Sequence, residues 1–410
     1  MGNTTLPIPL ELTLDILHRC GRHGVYNFAR TSKANYDISV HLLYKHIDLV
    51  IALESEALER HEKYGVYDFV QIVDLPIGFS CPEFFTDPLT SDPTSDIQEA
   101  LRKFKNIQEL HLIIAEENYS KTCPTARILR WVLSDYVSQL STLFLEIYCS
   151  SFHQQEFKDL LTDVSTFKND PLPNHDKLKT IKTWVSHFQP RRLMSYISPL
   201  LSPFVCGLQN IEIRTRCNFN DNVEDGWWVS DGNYTYLKGL ESESITSASI
   251  EDKQMSSTKF TCQFISKAWP NLVDLDLDLG IDHYMNHYRR LSRLKHLKKL
   301  GIMFPYRTWG LQVRANMAEE AEFPATRLCA LIPPLQEVSI KYMGGDCSMS
   351  QTAVFNCVRR EDEDQSIVAS VELKELWGEK GDYEDSIGML RMVDGVKMPE
   401  GVSSFRLDDE

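Results

Sequence analysis

The chain of 410 residues contains no run of 18 apolar residues, so nothing in it reads as a membrane-spanning helix. It also lacks the apolar stretch of a secretory signal at its N-terminus. Ten cysteines are scattered from Cys20 to Cys357 with no Cys-x-x-Cys pair, which removes the commonest zinc and redox frameworks. Without an export signal these thiols are expected to stay reduced, in cytoplasm or nucleus. Basic surface is scarce as well. The net charge is −15, and short stretches such as Arg289-Arg290 and Lys295–Lys299 read as solvated faces. Neither nucleic acid nor an anionic membrane surface is therefore an expected partner.

Recognisable chemistry is equally sparse. There is no Gly-x-Ser-x-Gly elbow, phosphate-binding glycine loop or dinucleotide fingerprint. The run Asp274 to Gly280 has the spacing of a calcium loop only superficially. Its glycine falls one position late, and the alternating leucines read as a strand. His283 and His287 stand one helical turn apart without a third zinc ligand, and His18, Cys20 and His23 lack a second half-site. No catalytic residue, cofactor or metal is expected.

What the chain does have is leucine placed with a period. Residues 8–20 begin with Pro9, which suits the first turn of a helix because its missing N–H has no partner there. At about 100° per residue, Leu10, Leu14 and Leu17 form one stripe, and Leu12 and Ile16 form another nearly opposite. This apolar arc is wider than an ordinary surface helix needs. Two partners are implied: the helix's own small domain and something else. Either stripe could face out. Val25, Phe28 and Ala29 suggest a second helix, and Ile38, Leu42 and Leu49 a third. Three short helices bury little core alone.

The segment from Leu6 to about Leu49 resembles the F-box motif in its fungal form. The resemblance rests on Ile8-Pro9-x-Glu11-Leu12-x-x-x-Ile16-Leu17, on Phe28 to Lys33, and on Leu42 to Leu49. Ile8 replaces the usual leucine, and Tyr36 stands near a position often held by tryptophan.

Beyond a Glu- and Ala-rich stretch at 51–65, one pattern recurs: apolar-x-x-apolar-x-apolar. Good copies begin at Val70, Ile107, Leu140, Leu208, Leu272, Leu297, Leu335 and Val368, with weaker ones at Leu178 and Leu237. The last two apolar positions point to one side of a strand, and the residues between them to the other. Apolar helical patterns follow, at Ala126–Leu133, Phe260–Trp269 and Tyr284–Leu294. Such units bury a continuous core only when stacked. The pattern is similar to that of leucine-rich repeats in an irregular form. The expected fold is α/β: an F-box at 1–50, a helical linker at 51–65, and a leucine-rich-repeat solenoid at 66–410. Its parallel strands should lie on one face and its helices on the other. Long loops are expected near 79–96, 218–236 and 241–259.

Together the two resemblances imply a substrate receptor of an SCF-type ubiquitin ligase, a subunit without chemistry of its own. The F-box would dock on a Skp-type adaptor, which connects to a cullin and its RING subunit. Pro9, Leu10, Leu12, Ile16 and Leu17 are the expected adaptor contacts, with Leu42 and Leu43 in support. Outward strand positions would meet an unidentified protein substrate: His111, Phe144, Glu212, Asp274, Asp276, Ser339 and Glu372. Trp227 and Trp228 are candidate anchors in the middle loop. Four of the seven strand residues are acidic, which predicts a basic element on the substrate. The rival reading is a non-catalytic repeat scaffold or inhibitor that acts without cullin-dependent ubiquitination.

Overall fold

The computed structural model describes residues 10–20, 22–49, 65–77, 93–116, 125–149, 175–186, 190–216, 234–252, 258–279, 285–304, 317–343, 349–361, 367–380, 389–393 and 396–400. It is an α/β protein whose strands are mostly parallel, and it divides into two compact units, residues 1–178 and 179–410.

The first unit opens with three helices, α1 (Leu10–Arg19), α2 (Arg22–Ala29) and α3 (Lys33–Leu43). Ser32 starts α3 from an extended backbone: its hydroxyl accepts the Asn35 N–H at 3.1 Å, satisfying a donor the helix cannot. The third helix does not reach Leu49 as its apolar stripe suggests. It stops at Leu43, and His46–Asp48 forms a strand, β1. The sequence His46-Ile47-Asp48 alternates polar and apolar, and that period of two suits a strand that buries Ile47. β1 pairs in parallel with β2 (Ile72–Ile77), so the helices run straight into the sheet. Then come α4 (Pro93–Lys103), β3 (Glu109–Glu116), α5 (Thr125–Trp131) and β4 (Thr142–Cys149), with β2, β3 and β4 paired in parallel. Most of the expected linker at 51–65 lies outside the described residues, and of the expected loop at 79–96 the described part begins α4.

The second unit carries β5 (Thr180–Ser186), α6 (Pro190–Leu201), β6 (Asn210–Arg216), β7 (Ser247–Asp252), α7 (Thr258–Ala268), β8 (Asp274–Asp278), β9 (Lys299–Phe304), α8 (Met317–Leu331) and β10 (Glu337–Met343). Strands β5 to β10 are parallel in chain order. The direction then reverses. β11 (Met349–Glu361) and β12 (Ile367–Lys380) add antiparallel, followed by the pair β13 (Met389–Val393) and β14 (Val396–Glu400).

Several expectations are corrected here. The copy beginning at Val368 lies on the antiparallel β12, because β11 has already turned the chain back. Leu237–Leu240 is a tight turn, not the start of a strand. The strand is β7, inside the stretch 241–259 expected as a loop. Its own copy of the pattern, Ile245-x-x-Ala248-x-Ile250, is fully buried but disguised by the small Ala248. Met285–Arg293 is a 3₁₀ helix where an α-helical pattern was read. The step from Asp274 to Lys299 is the shortest between successive parallel strands. A 3₁₀ coil rises about 2.0 Å per residue against about 1.5 Å for an α-helix, so fewer residues cover the same span.

One backbone device joins the repeats. Just before eight of the strands a carbonyl accepts two N–H bonds from the next repeat. Lys45 O takes those of Gln71 and Ile72, both at 2.9 Å. Gln71 O, Gln108 O, Lys179 O, Gln209 O, Thr246 O, Val273 O and Lys298 O do the same for their successors. Inward residues such as Leu110, Leu112, Leu275 and Leu277 are completely buried, together with helix residues such as Leu101, Ile265 and Leu328. Trp269, the bulkiest fully buried side chain, directly follows α7 and donates its indole N–H to Leu240 O at 2.7 Å.

Candidate protein-binding surfaces

In α1 the two apolar stripes part company. Leu17 is 4% exposed, whereas Leu12 and Ile16, one turn apart, are 51% and 47% exposed. Leu14 is half-buried, as are Leu42 and Leu43 at the end of α3. Leu10 is the first residue of the helix, and Pro9 lies outside the described residues. Asp15 and Arg19 form an exposed ion pair at 3.1 Å on the polar side. Tyr26 of α2 is exposed, with the Arg30 guanidinium 5.5 Å from its ring centre. An exposed branched-aliphatic pair on a helix that buries Leu17 has the form of a partner-binding ridge.

A second candidate is the sheet face of the first unit opposite the buried leucines. The parallel register places Asp48, Asp74, His111 and Phe144 in one row. The Asp74 carboxylate bridges two imidazoles, His46 Nε2 at 2.8 Å and His111 Nδ1 at 3.2 Å. His111 Nε2 in turn lies 2.8 Å from Glu146, whose other oxygen accepts from the Tyr148 hydroxyl. The His111 ring stacks flat on Phe144 at 3.9 Å between centres. Burial alone would raise the Asp74 carboxyl. The hydrogen bonds and charges of His111 and His46 outweigh it and hold Asp74 well below the usual carboxylate range.

In the second unit the corresponding face is equally cross-linked. Glu212, Ser249, Asp276, Gly301 and Ser339 share one row across β6 to β10. Arg214 Nε sits 2.6 Å from Glu212 and 3.7 Å from Glu251, and its guanidinium lies 4.3 Å over the Trp184 ring. The Trp184 indole N–H donates to Glu212 at 3.1 Å. Asp276 reaches across Gly301 to Lys341 on β10, at 2.6 Å. A Cβ at position 301 would sit 2.2 Å from the Asp276 Oδ1, so this crossing requires glycine there. Glu337 is held between Lys299 at 3.5 Å and Lys374 at 2.6 Å. Asp274 lies in the next row, its carboxyl pushed up by burial and by the neighbouring Asp276 and Glu337 against the pull of Lys299.

Of the substrate residues expected from the sequence, His111 and Phe144 come together as a stack. Glu212, Asp276 and Ser339 share a row, with Asp274 one row away. Glu372, on β12, pairs with Arg360 at 3.7 Å. Trp227 and Trp228 lie outside the described residues. The acidic count misled in one respect. Glu212, Asp276 and Glu372 each have a basic partner in the chain, so the face presents paired charges and the case for a basic substrate weakens. The residues that pattern reading missed are these partners: His46, Asp74, Glu146, Trp184, Arg214 and Lys341. Each sits at an outward position flanking an apolar one, which is the signal that marks them.

Among the described residues no helix is long and apolar enough to cross a membrane, and no cluster of three His, Cys, Asp or Glu could hold a metal ion. Compared with known families and curated proteins, the chain matches no family model and no curated sequence.

Proposed function

We propose that this protein is the substrate-recognition subunit of an SCF-type ubiquitin ligase. Its N-terminal helices act as an F-box that docks on a Skp-type adaptor, and its strand–helix array acts as leucine-rich repeats that hold a protein substrate. The observation that carries this reading is the exposed pair Leu12 and Ile16 on a helix that buries Leu17. The motif from Leu6 to Leu49 supports it at the level of sequence. A ligase built this way works by proximity. The adaptor tethers the array to a cullin and its RING subunit, and the bound substrate gains a high effective concentration near the ubiquitin-charged enzyme.

Co-purification with the adaptor tests the proposal, comparing wild type with a Leu12→Glu/Ile16→Glu double variant. Wild type is expected to retain adaptor and the variant to lose it, since burying two unpaired carboxylates costs several kcal/mol. Circular dichroism of the variant should remain that of wild type, because both side chains already face solvent. A wild-type protein that never binds adaptor refutes the ligase reading. Adaptor binding without cullin would favour a scaffold or inhibitor.

A further inference from the structure

On the outer face of the second unit, Arg214 holds back most of its hydrogen-bonding capacity. A guanidinium carries five N–H donors in a planar fork. The Nε of Arg214 is committed. It lies 2.6 Å from Glu212 Oε1, the same oxygen that accepts the Trp184 indole N–H at 3.1 Å. Glu251, from β7, stands 3.7 Å from that nitrogen, and the guanidinium lies 4.3 Å over the Trp184 ring. Nη1 and Nη2 make no hydrogen bond among the described residues. Arg359 shows what a structural arginine does with the same two groups. Its Nη1 donates to Leu335 O at 2.7 Å, and its Nη2 to Cys329 O at 2.9 Å and Ile332 O at 3.1 Å. Arg214 has no such acceptors, yet it is held from its own strand and from both neighbours, with Trp184, Arg214 and Glu251 in one row. An arginine fixed this way has already given up much of its rotamer freedom, so a ligand that meets its open edge does not bear that cost.

Shape and charge define the ligand. The open edge of the fork matches the oxygens of a carboxylate or a phosphate. Phosphate sites gather several arginines, because a group near a double negative charge needs more than one cation in place of its water. Here Glu212 and Glu251 offset the charges of Arg214 and of Lys182, which stands beside Glu212 in the register. The site therefore suits a single negative charge. A chain terminus fits less well than a side chain. C-terminal carboxylates are captured in nests of main-chain N–H groups, and β6 spends its own on the ladders with β5 and β7.

We propose that Arg214 binds the carboxylate of an aspartate or glutamate side chain on a partner protein, with Trp184 as its platform and Glu212 and Glu251 as positioning residues. The inference rests on the proposed role of the array as the surface that holds a protein substrate. It also reverses the expectation of a basic substrate around β6. Counted as charges, these residues balance. Counted as hydrogen-bonding groups, they have donors to spare and need an acceptor.

The test follows the Trp184 indole N–H by nuclear magnetic resonance in the 410-residue chain, without adaptor. The chain has seven tryptophans, and Trp184→Phe identifies the signal by its loss. The probes are acetyl-Ala-Glu-Ala-amide, its glutamine and phosphoserine counterparts, and acetyl-Ala-Ala-Ala with a free C-terminal carboxylate, all at constant ionic strength. The glutamate peptide is expected to shift the Trp184 signal saturably, and the glutamine peptide to leave it unmoved. Arg214→Lys keeps the charge but not the fork. It should weaken the glutamate peptide about tenfold, the loss of one charge-assisted hydrogen bond, while the other indole signals stay in place. Should Arg214→Lys fail to fold, the glutamate and glutamine peptides on wild type decide. No saturable shift with the glutamate peptide overturns the proposal. So does an equal response to the glutamine peptide, undiminished binding by a folded Arg214→Lys, or tighter binding of the phosphoserine or free-carboxylate peptide. A chain that binds adaptor but fails here refutes this site alone, and one that passes here but never binds adaptor refutes the ligase reading alone.

Discussion

Single side chains in this molecule show where a local rule is broken and what the breach costs. Thr183 occupies an inward position of β5 and is fully buried, and its hydroxyl finds no partner among the described residues. It is also why the copy beginning at Leu178 looks weak: the third apolar position is Thr183. Valine has the same shape without the stranded hydroxyl. Thr183→Val is expected to raise stability by about 1 kcal/mol, read as a higher urea midpoint with unchanged slope. Asp74 shows the opposite economy. Its depressed carboxyl means that the folded state binds its proton more weakly than the unfolded chain does. Its stabilisation is therefore complete above the ordinary aspartate value of 3.8 and is lost as pH falls below it. Asp74→Asn should lower stability near neutral pH by about 1–2 kcal/mol, a figure reduced for the exposed His46. Denaturation curves of variant and wild type should converge as the solution is acidified through that range. Parallel curves down to low pH would show that the two imidazoles contribute nothing.

At the level of elements, α1 shows how much was legible in the sequence. The period of 3.6 located the helix and both stripes, but a helical wheel has no outside until a neighbour covers one face. Only the fold separates Leu17 from Leu12 and Ile16. The separation has a measurable consequence. Leu17→Ala should cost about 2–3 kcal/mol, and Leu12→Ala less than about 0.5 kcal/mol, in thermal or chemical unfolding of the isolated chain. If Leu12→Ala is as damaging as Leu17→Ala, the exposed stripe is not exposed in solution. The strands tell a similar story. Copies with large side chains, such as Leu272-x-x-Leu275-x-Leu277, were readable because alternation and size agree. β7 was hidden by Ala248, and β1 by a length too short to show a period. On the candidate surfaces, His111 and Phe144 were readable as outward positions. The Asp276 crossing to Lys341 was not, because it depends on an absent side chain, at Gly301 on the strand between them.

For the whole molecule, the pairing scheme sets how disturbance spreads. Along the parallel runs every strand bonds to its immediate predecessor and successor in sequence, so stability is passed between neighbours. Trp269→Ala removes the bulkiest buried side chain of the second unit together with its bond to Leu240 O. A loss of about 3–5 kcal/mol is expected. Hydrogen exchange should locate it, with amides of β7, β8 and β9 exchanging faster and those of β2, β3 and β4 unchanged. Uniform acceleration in both units would mean that they unfold as one cooperative body.

The doubly bonded carbonyls that precede the strands carry one more implication. They belong to Lys45, Gln71, Gln108, Lys179, Gln209, Thr246, Val273 and Lys298, and the apolar Val273 makes the same pair of bonds as the long polar lysines and glutamines. The joint between repeats is thus written in main chain, and it asks only that neither of two consecutive donors be proline. Such a joint is indifferent to how many residues lie between one strand and the next. Whole repeats could be gained, dropped or reshuffled in evolution or by design, with each splice made at these carbonyls and the side chains on either side left free to follow a new ligand.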